Sequence, residues 1–183
     1  MAKKRSPLSI TYPAYHTVLF DGIPMWRAQA WALLDYRLHG GKIIVNSAIR
    51  DKEIMDRWRG KGMRPGLHDQ QYLYANQNKP GFNPANPPKF TSHAGFSDGN
   101  SAYRAKNGNL VPRGFKLEEY QWGIDAVNTP GGSSRDIVKW LNSHGYGAIQ
   151  PYPTNNERHH FTFTKSPAVN ARKRLARYYA TGK

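Results

Sequence analysis

The pattern of apolar and polar positions divides the first part of the chain into a helix and a strand. Residues 25–38 carry apolar side chains every three or four positions, which is typical of an amphipathic helix, and Gly40-Gly41 follows as a stop signal. The predicted inward face consists of Trp26, Ala30, Leu33, Leu34 and Leu38. Residues 42–49 then form a short apolar run that predicts a buried strand. A helix followed by a strand favours α+β packing.

The middle of the chain is more polar and less regular. Asp51 is a plausible N-cap for a short helix over residues 51–59, and a second helix is predicted from residue 68 or 69 through 76. Residues 78–91 contain four prolines and predict an extended loop. Residues 94–121 show weak periodicity and are interpreted as a surface excursion.

Regular patterning returns at residue 122. Residues 122–127 predict a short strand, 129–132 a turn, and Ser133 or Ser134 caps a helix through Leu141 with Ile137, Val138 and Leu141 inward. Residues 146–150 and 159–164 predict further strands. Pro167 opens a basic C-terminal helix that ends near Tyr179.

Composition narrows the classes of protein that this pattern could represent. At 183 residues, with 38% apolar and 13% aromatic residues, the chain predicts a single folded domain over residues 1–183. Its net charge of +15 indicates a surface that attracts polyanions. The absence of cysteine excludes disulfides and thiolate chemistry, so a metal ion would need histidine and carboxylate ligands. The sequence predicts no membrane-spanning helix and no signal peptide.

Asp125 is the first candidate for chemistry, because it interrupts an apolar strand. Burying a carboxylate without a partner lowers the stability of a fold by on the order of several kcal/mol. A metal ion, a buried arginine or a hydrogen bond to a turn would each meet its need for a partner.

A second candidate is the segment that begins at Glu157. In a strand that starts at Arg158, His159 shares a face with Phe161 and Phe163, and His160 lies on the other face. This alternation favours His160 as the histidine that faces a site, with the Glu157 carboxylate folding back beside its ring. A third candidate, Ser92-His93, follows the proline-rich loop.

Together these segments resemble the zinc peptidases of the VanX/VanY D-alanyl-D-alanine carboxypeptidase family, which includes phage endolysins that cut L-alanyl-D-glutamate bonds. Residues 92–93 are similar to the family's Ser-x-His segment, although its first Ser is missing, since Thr91 precedes Ser92. Residues 123–127 resemble its Gly-x-Ala-x-Asp strand, and 157–160 its Glu-x-x-His motif. Residues 45–50 and 70–74 resemble its strand-then-Arg segment and the following Gln-bearing helix. The order is preserved across residues 25–164.

The resemblance implies a VanY/hedgehog-like core, a small antiparallel sheet flanked by helices, and a Zn²⁺ ion held by His93, Asp125 and His160. It implies Glu157 as the general base, Arg50 as a catalytic and substrate-binding residue, and Ser92 and Gln71 as further substrate contacts. His93 and Asp125 stand much farther apart than in the family, which is explained by an insertion over residues 94–121. Asp98 is the alternative carboxylate ligand; the apolar strand around Asp125 favours Asp125.

The implied function is hydrolysis of a peptidoglycan stem peptide, as a phage endolysin or a virion-associated lysin. Such an enzyme would be made in the host cytoplasm without a signal peptide, would reach the wall after release and would act as a monomer. The positive charge, concentrated in residues 165–183, would hold it on anionic cell-wall polymers. The alternative is a basic nucleic-acid-binding or virion structural protein on an inactive scaffold, because basic residues interleaved with Tyr and Trp suit phosphate contact and base stacking.

Overall fold

A computed structural model describes residues 6–49, 52–67, 122–150 and 158–183. The helix predicted over residues 68–76, the loop over 78–91 and the insertion over 94–121 lie outside these ranges. Within the described ranges, no helix is long and apolar enough to cross a membrane.

The first element is a β-hairpin that the sequence analysis did not predict. Strands β1 (Thr17–Phe20) and β2 (Ile23–Trp26) pair antiparallel around Asp21-Gly22, where both residues have positive φ, 51° and 79°. An Asp-Gly pair with left-handed backbone is a strong signal for a two-residue hairpin turn. The predicted helix start at residue 25 is therefore wrong, because residues 25 and 26 belong to β2.

Helix α1 (Arg27–Leu38) lies at the centre of the molecule and is buried on several sides. It contacts the hairpin and two later helices. Trp31 is fully buried, and so are the polar side chains of Gln29 and Asp35. Two leucines of the predicted inward face, Leu34 and Leu38, are only partly buried. The sequence pattern predicted one buried face for this helix. In the structure, other elements pack against several sides of it, so more of its residues are buried.

The main sheet has four antiparallel strands in the order β3–β4–β6–β5. Their bounds are β3 Ile44–Ser47, β4 Gly123–Val127, β5 Ala148–Ile149 and β6 His160–Phe163. All residues of β4 and β6 are buried, whereas β3 alternates exposed and buried positions. The strand predicted over residues 42–49 is thus present but buried on alternate positions only.

Three further helices complete the described structure. Helix α2 spans Lys52–Trp58, α3 spans Arg135–Ser143 and α4 spans Ala168–Thr181. Each lies where the sequence predicted a helix. The side chains of Ile137 and Leu141 on α3 are buried in the core, and Val138 packs against the core while partly exposed. The predicted α+β class, with a small antiparallel sheet and flanking helices, is confirmed.

A buried carboxylate joins α1 to α4 and to the connection between α3 and β5. Asp35 is fully buried, and its Oδ2 accepts hydrogen bonds from the Tyr146 hydroxyl at 2.7 Å and from Arg174 Nε. His39 Nδ1 lies 3.3 Å from the other carboxylate oxygen. Burial, reinforced by Asp35, raises the pKa of the Tyr146 hydroxyl. These contacts fix the C-terminal helix against the core.

We predict that Asp35→Ala lowers the free energy of unfolding by roughly 3 kcal/mol, because it leaves the buried Tyr146 hydroxyl and Arg174 without their acceptor. The measurement is chemical denaturation followed by circular dichroism. Asp136→Ala, which removes an equal charge from an exposed position, is the matched control and should cost less than about 1 kcal/mol. Equal losses in the two variants would contradict this role for Asp35.

Candidate functional site

Three polar side chains form a row across three neighbouring strands of the main sheet. Ser47 on β3 lies opposite Asp125 on β4, and Asp125 lies opposite His160 on β6. Directly opposite residues of antiparallel strands project from the same face of the sheet. All three are buried, with exposed fractions of 3%, 5% and 6%. The sheet thus brings together residues that are far apart along the chain.

The Asp125 carboxylate is paired through both of its oxygens. The Ser47 hydroxyl donates to Oδ2 at 2.7 Å, and His160 Nδ1 lies 2.9 Å from Oδ1. Its neighbours in the strand, Ile124 and Ala126, are fully buried as well. These contacts meet the need for partners that the apolar sequence around Asp125 predicted.

Of the two adjacent histidines, His160 is the one that lies buried against Asp125. The His159 side chain is 36% exposed, and its Nε2 lies 3.9 Å from Asp125 Oδ1, beyond hydrogen-bonding distance. His159 lies in the turn just before β6, so the alternation predicted from a strand beginning at Arg158 does not apply to it, although the predicted choice of His160 agrees with its burial.

A buried serine at the start of α3 fixes the beginning of β6. Ser134 accepts no cap hydrogen bond from the helix through its side chain; instead its hydroxyl donates to the carbonyl oxygens of Arg158 at 3.2 Å and His160 at 3.4 Å. Its backbone N–H also donates to Arg158 O at 3.0 Å. His160 is therefore fixed by two contacts: its backbone carbonyl accepts a hydrogen bond from Ser134, and its ring contacts Asp125.

Ser47 was not among the site residues predicted from sequence. It appeared only within the segment over residues 45–50 that resembles the family's strand before an arginine. Its contact with Asp125 depends on the pairing of two strands distant in sequence. Simple alternation within β3 does not reveal the contact, because the pairing shifts between Val45 and Ser47.

The other predicted site residues lie outside the described part of the chain. These are Arg50, Gln71, Ser92, His93 and Glu157, together with the alternative ligand Asp98. Within the described ranges there is no group of three or more His, Asp or Glu side chains that could hold a metal ion. Of the three predicted zinc ligands, the described structure brings together two, and their role as ligands stays a prediction.

The chemistry of the Asp125–His160 pair fits a zinc ion. Carboxylate oxygen and imidazole nitrogen are both common zinc ligands, and two such atoms on one tetrahedral ion lie about 3.3 Å apart. The observed separation of 2.9 Å between Asp125 Oδ1 and His160 Nδ1 is shorter than that value, so the two atoms would have to move slightly apart to bind one ion. The same distance is also that of a direct carboxylate–imidazole hydrogen bond. A third ligand is needed to complete a catalytic site of the usual kind.

The basic C-terminal segment divides into an inward and an outward part. Arg174 turns inward to Asp35, and Arg172 lies over the Trp31 ring and donates to Tyr12 O. Arg172 itself stays exposed, as do Lys173 and Arg177 on α4, Lys165 before it and Lys183 just beyond it. The cationic surface of this segment is therefore smaller than its sequence suggests, and Arg174 has a structural role.

Comparisons with known proteins identify a similar solved structure. No protein-family model matches the chain, and no curated protein matches it. The chain is similar to a structure of VanYB in complex with D-alanine-D-alanine, with 20% sequence identity and a TM-score of 0.34. The match covers 97% of this chain and 94% of that one. At this TM-score the similarity is too weak to assign a fold or an activity.

Proposed function

We propose that this protein is a zinc-dependent peptidase that hydrolyses a bond in the peptidoglycan stem peptide. One observation carries the proposal: Asp125 and His160 come from separate sequence segments, each of which suggested a metal ligand, and their side chains lie buried in contact on adjacent strands. If Asp125 and His160 each had an independent structural role, their side chains would have no reason to lie in contact.

The proposed metal ligands are Asp125, His160 and His93. When bound, zinc would polarise the scissile carbonyl and lower the pKa of water at the site towards about 7. Glu157, three positions before His160, would accept the proton of the attacking water and deliver it to the leaving amine. Arg50, which follows β3 closely, would bind a substrate carboxylate or the carbonyl oxygen. The roles of His93, Glu157 and Arg50 rest on the sequence resemblance.

The proposed substrate is the peptide stem of the bacterial cell wall, contacted by Arg50, Ser92 and Gln71. In one form of the proposal, the protein is a phage endolysin, an endopeptidase that cuts within cross-linked stem peptides. A carboxypeptidase that removes a terminal residue is the other form of the same chemistry. The masses of the fragments released from purified peptidoglycan distinguish the two.

We predict that the purified protein binds about one zinc ion and releases stem-peptide fragments from peptidoglycan, and that His160→Ala abolishes both. Glu157→Ala should retain zinc but lose hydrolysis by a factor of about 100 or more, as expected on removal of a general base. Metal content by mass spectrometry and fragment analysis are the measurements.

His159→Ala is the matched control for that experiment, because it removes an adjacent histidine whose ring lies 3.9 Å from Asp125 Oδ1 and is partly exposed. It should retain both zinc and hydrolysis. A zinc-free wild type, with hydrolysis that Glu157→Ala leaves unchanged, would refute the zinc mechanism and the role of Glu157 as general base. A zinc-free, inactive protein with salt-dependent binding to nucleic acid would instead support the alternative function.

We further propose that the cationic surface of the C-terminal segment holds the enzyme on anionic wall polymers. Lys173, Arg177 and Lys183 are members of this surface that have exposed side chains and no structural contact described above. Lys165, before α4, is exposed as well. The net charge of +15 gives the whole protein a long-range attraction to such polymers. This surface would concentrate the enzyme without taking part in hydrolysis.

We expect the triple variant Lys173→Gln, Arg177→Gln, Lys183→Gln to lose several-fold activity on intact walls at low salt while hydrolysing a soluble stem peptide at the wild-type rate. Salt should reduce the difference, because it screens exposed charges. The matched control neutralises three exposed lysines elsewhere, namely Lys42, Lys61 and Lys139. Equal losses in both triple variants would show that total charge, and not this surface, determines binding.

A further inference from the structure

Strand β3 contains an extra residue next to the candidate site. Ile44 pairs with Val127 and Val45 with Ala126, but the next pair is Ser47 with Asp125. The pairing thus slips by one residue at Asn46, which defines a β-bulge. Bulges occur often beside active sites, where they change the direction of a side chain.

The bulge determines which β3 residue meets Asp125. In an uninterrupted ladder, Asn46 would lie opposite Asp125, and Ser47 would lie opposite Ile124 on the other face of the sheet. With the bulge, Asn46 is exposed and the buried Ser47 hydroxyl reaches Asp125 Oδ2 at 2.7 Å. The extra residue therefore places the hydroxyl of Ser47, rather than the side-chain amide of Asn46, opposite Asp125.

The two contacts give the oxygens of Asp125 different roles. Oδ2 accepts a hydrogen bond from Ser47, while Oδ1 faces the His160 ring. A hydroxyl that donates to a carboxylate forms a short, charge-assisted hydrogen bond that restrains rotation of the carboxylate. Such restraint would present one oxygen, on the histidine side, to a metal ion.

We propose that Ser47 is a positioning residue for metal binding: it holds the Asp125 carboxylate so that Oδ1 lies beside His160. This inference rests on the proposed function, because it assigns Asp125 and His160 as ligands. Outer contacts of this kind contribute about 10- to 100-fold to metal affinity. A purely structural role for Ser47, which would only satisfy a buried carboxylate, predicts a change in stability without a change in affinity.

The test compares zinc dissociation constants, measured by competition with a chromophoric chelator, for the wild type, Ser47→Ala and Ser47→Thr. Ser47→Ala should bind zinc about 10- to 100-fold more weakly, and Ser47→Thr, which keeps the hydroxyl, should bind within a few-fold of the wild type. The visible absorption of the Co²⁺-loaded proteins should shift in Ser47→Ala alone, because the carboxylate then lacks the hydrogen bond that orients Oδ1 towards the ion.

The matched control is Thr17→Val, which removes a hydroxyl that accepts a hydrogen bond from Trp58 Nε1 in the hairpin, away from the row. It should leave zinc affinity unchanged. Unfolding of the metal-free proteins is measured in parallel. If Ser47→Ala is less stable but has wild-type zinc affinity and Co²⁺ absorption, the positioning role is wrong while the proposed function stands. A wild type that binds no zinc overturns the proposed function and this inference together.

Discussion

The charge of Asp125 is the constraint on which the arrangement of the main sheet depends. A carboxylate buried between Ile124 and Ala126 is costly unless both oxygens are paired. Its partners stand on the two strands that flank β4, so the register of β3 and of β6 must be correct at the same residue. A slip of one position in either strand would turn the partner to the other face. The bulge in β3 and the anchoring of β6 by Ser134 both act on this register.

A second buried carboxylate, Asp35, organises the other side of the molecule. It binds Tyr146 and Arg174, and so it joins the central helix to the end of the chain. This use of Arg174 separates the basic residues of the C-terminal segment into a structural part and an exposed part. The two acids thus have distinct environments: Asp35 is held by a tyrosine and an arginine, whereas Asp125 is held by a serine and a histidine whose ring can also bind metal ions.

Local sequence patterns were sufficient for most of the described elements and for two residues of the site. Helical spacing located α1 and α3. Alternation selected His160 over His159, although the strand begins at His160 and His159 lies in the turn before it. Asp125 was recognisable because it interrupts an apolar strand. The hairpin was missed although Asp21-Gly22 is a direct turn signal, and Ser47 was missed because a bulge is a property of two paired strands rather than of one segment. The burial of Gln29 and Asp35 was missed for the same reason, since it depends on neighbours distant along the chain.

The joint binding of one metal ion by Asp125 and His160, which we propose, is tested most directly by crystallography. Crystals of the full chain grown with zinc would be measured on both sides of the zinc absorption edge. We predict one strong anomalous peak in contact with Asp125 Oδ1 and the His160 ring. A map with no peak at this position, with the carboxylate and the ring still in direct hydrogen-bonding contact, would contradict the claim.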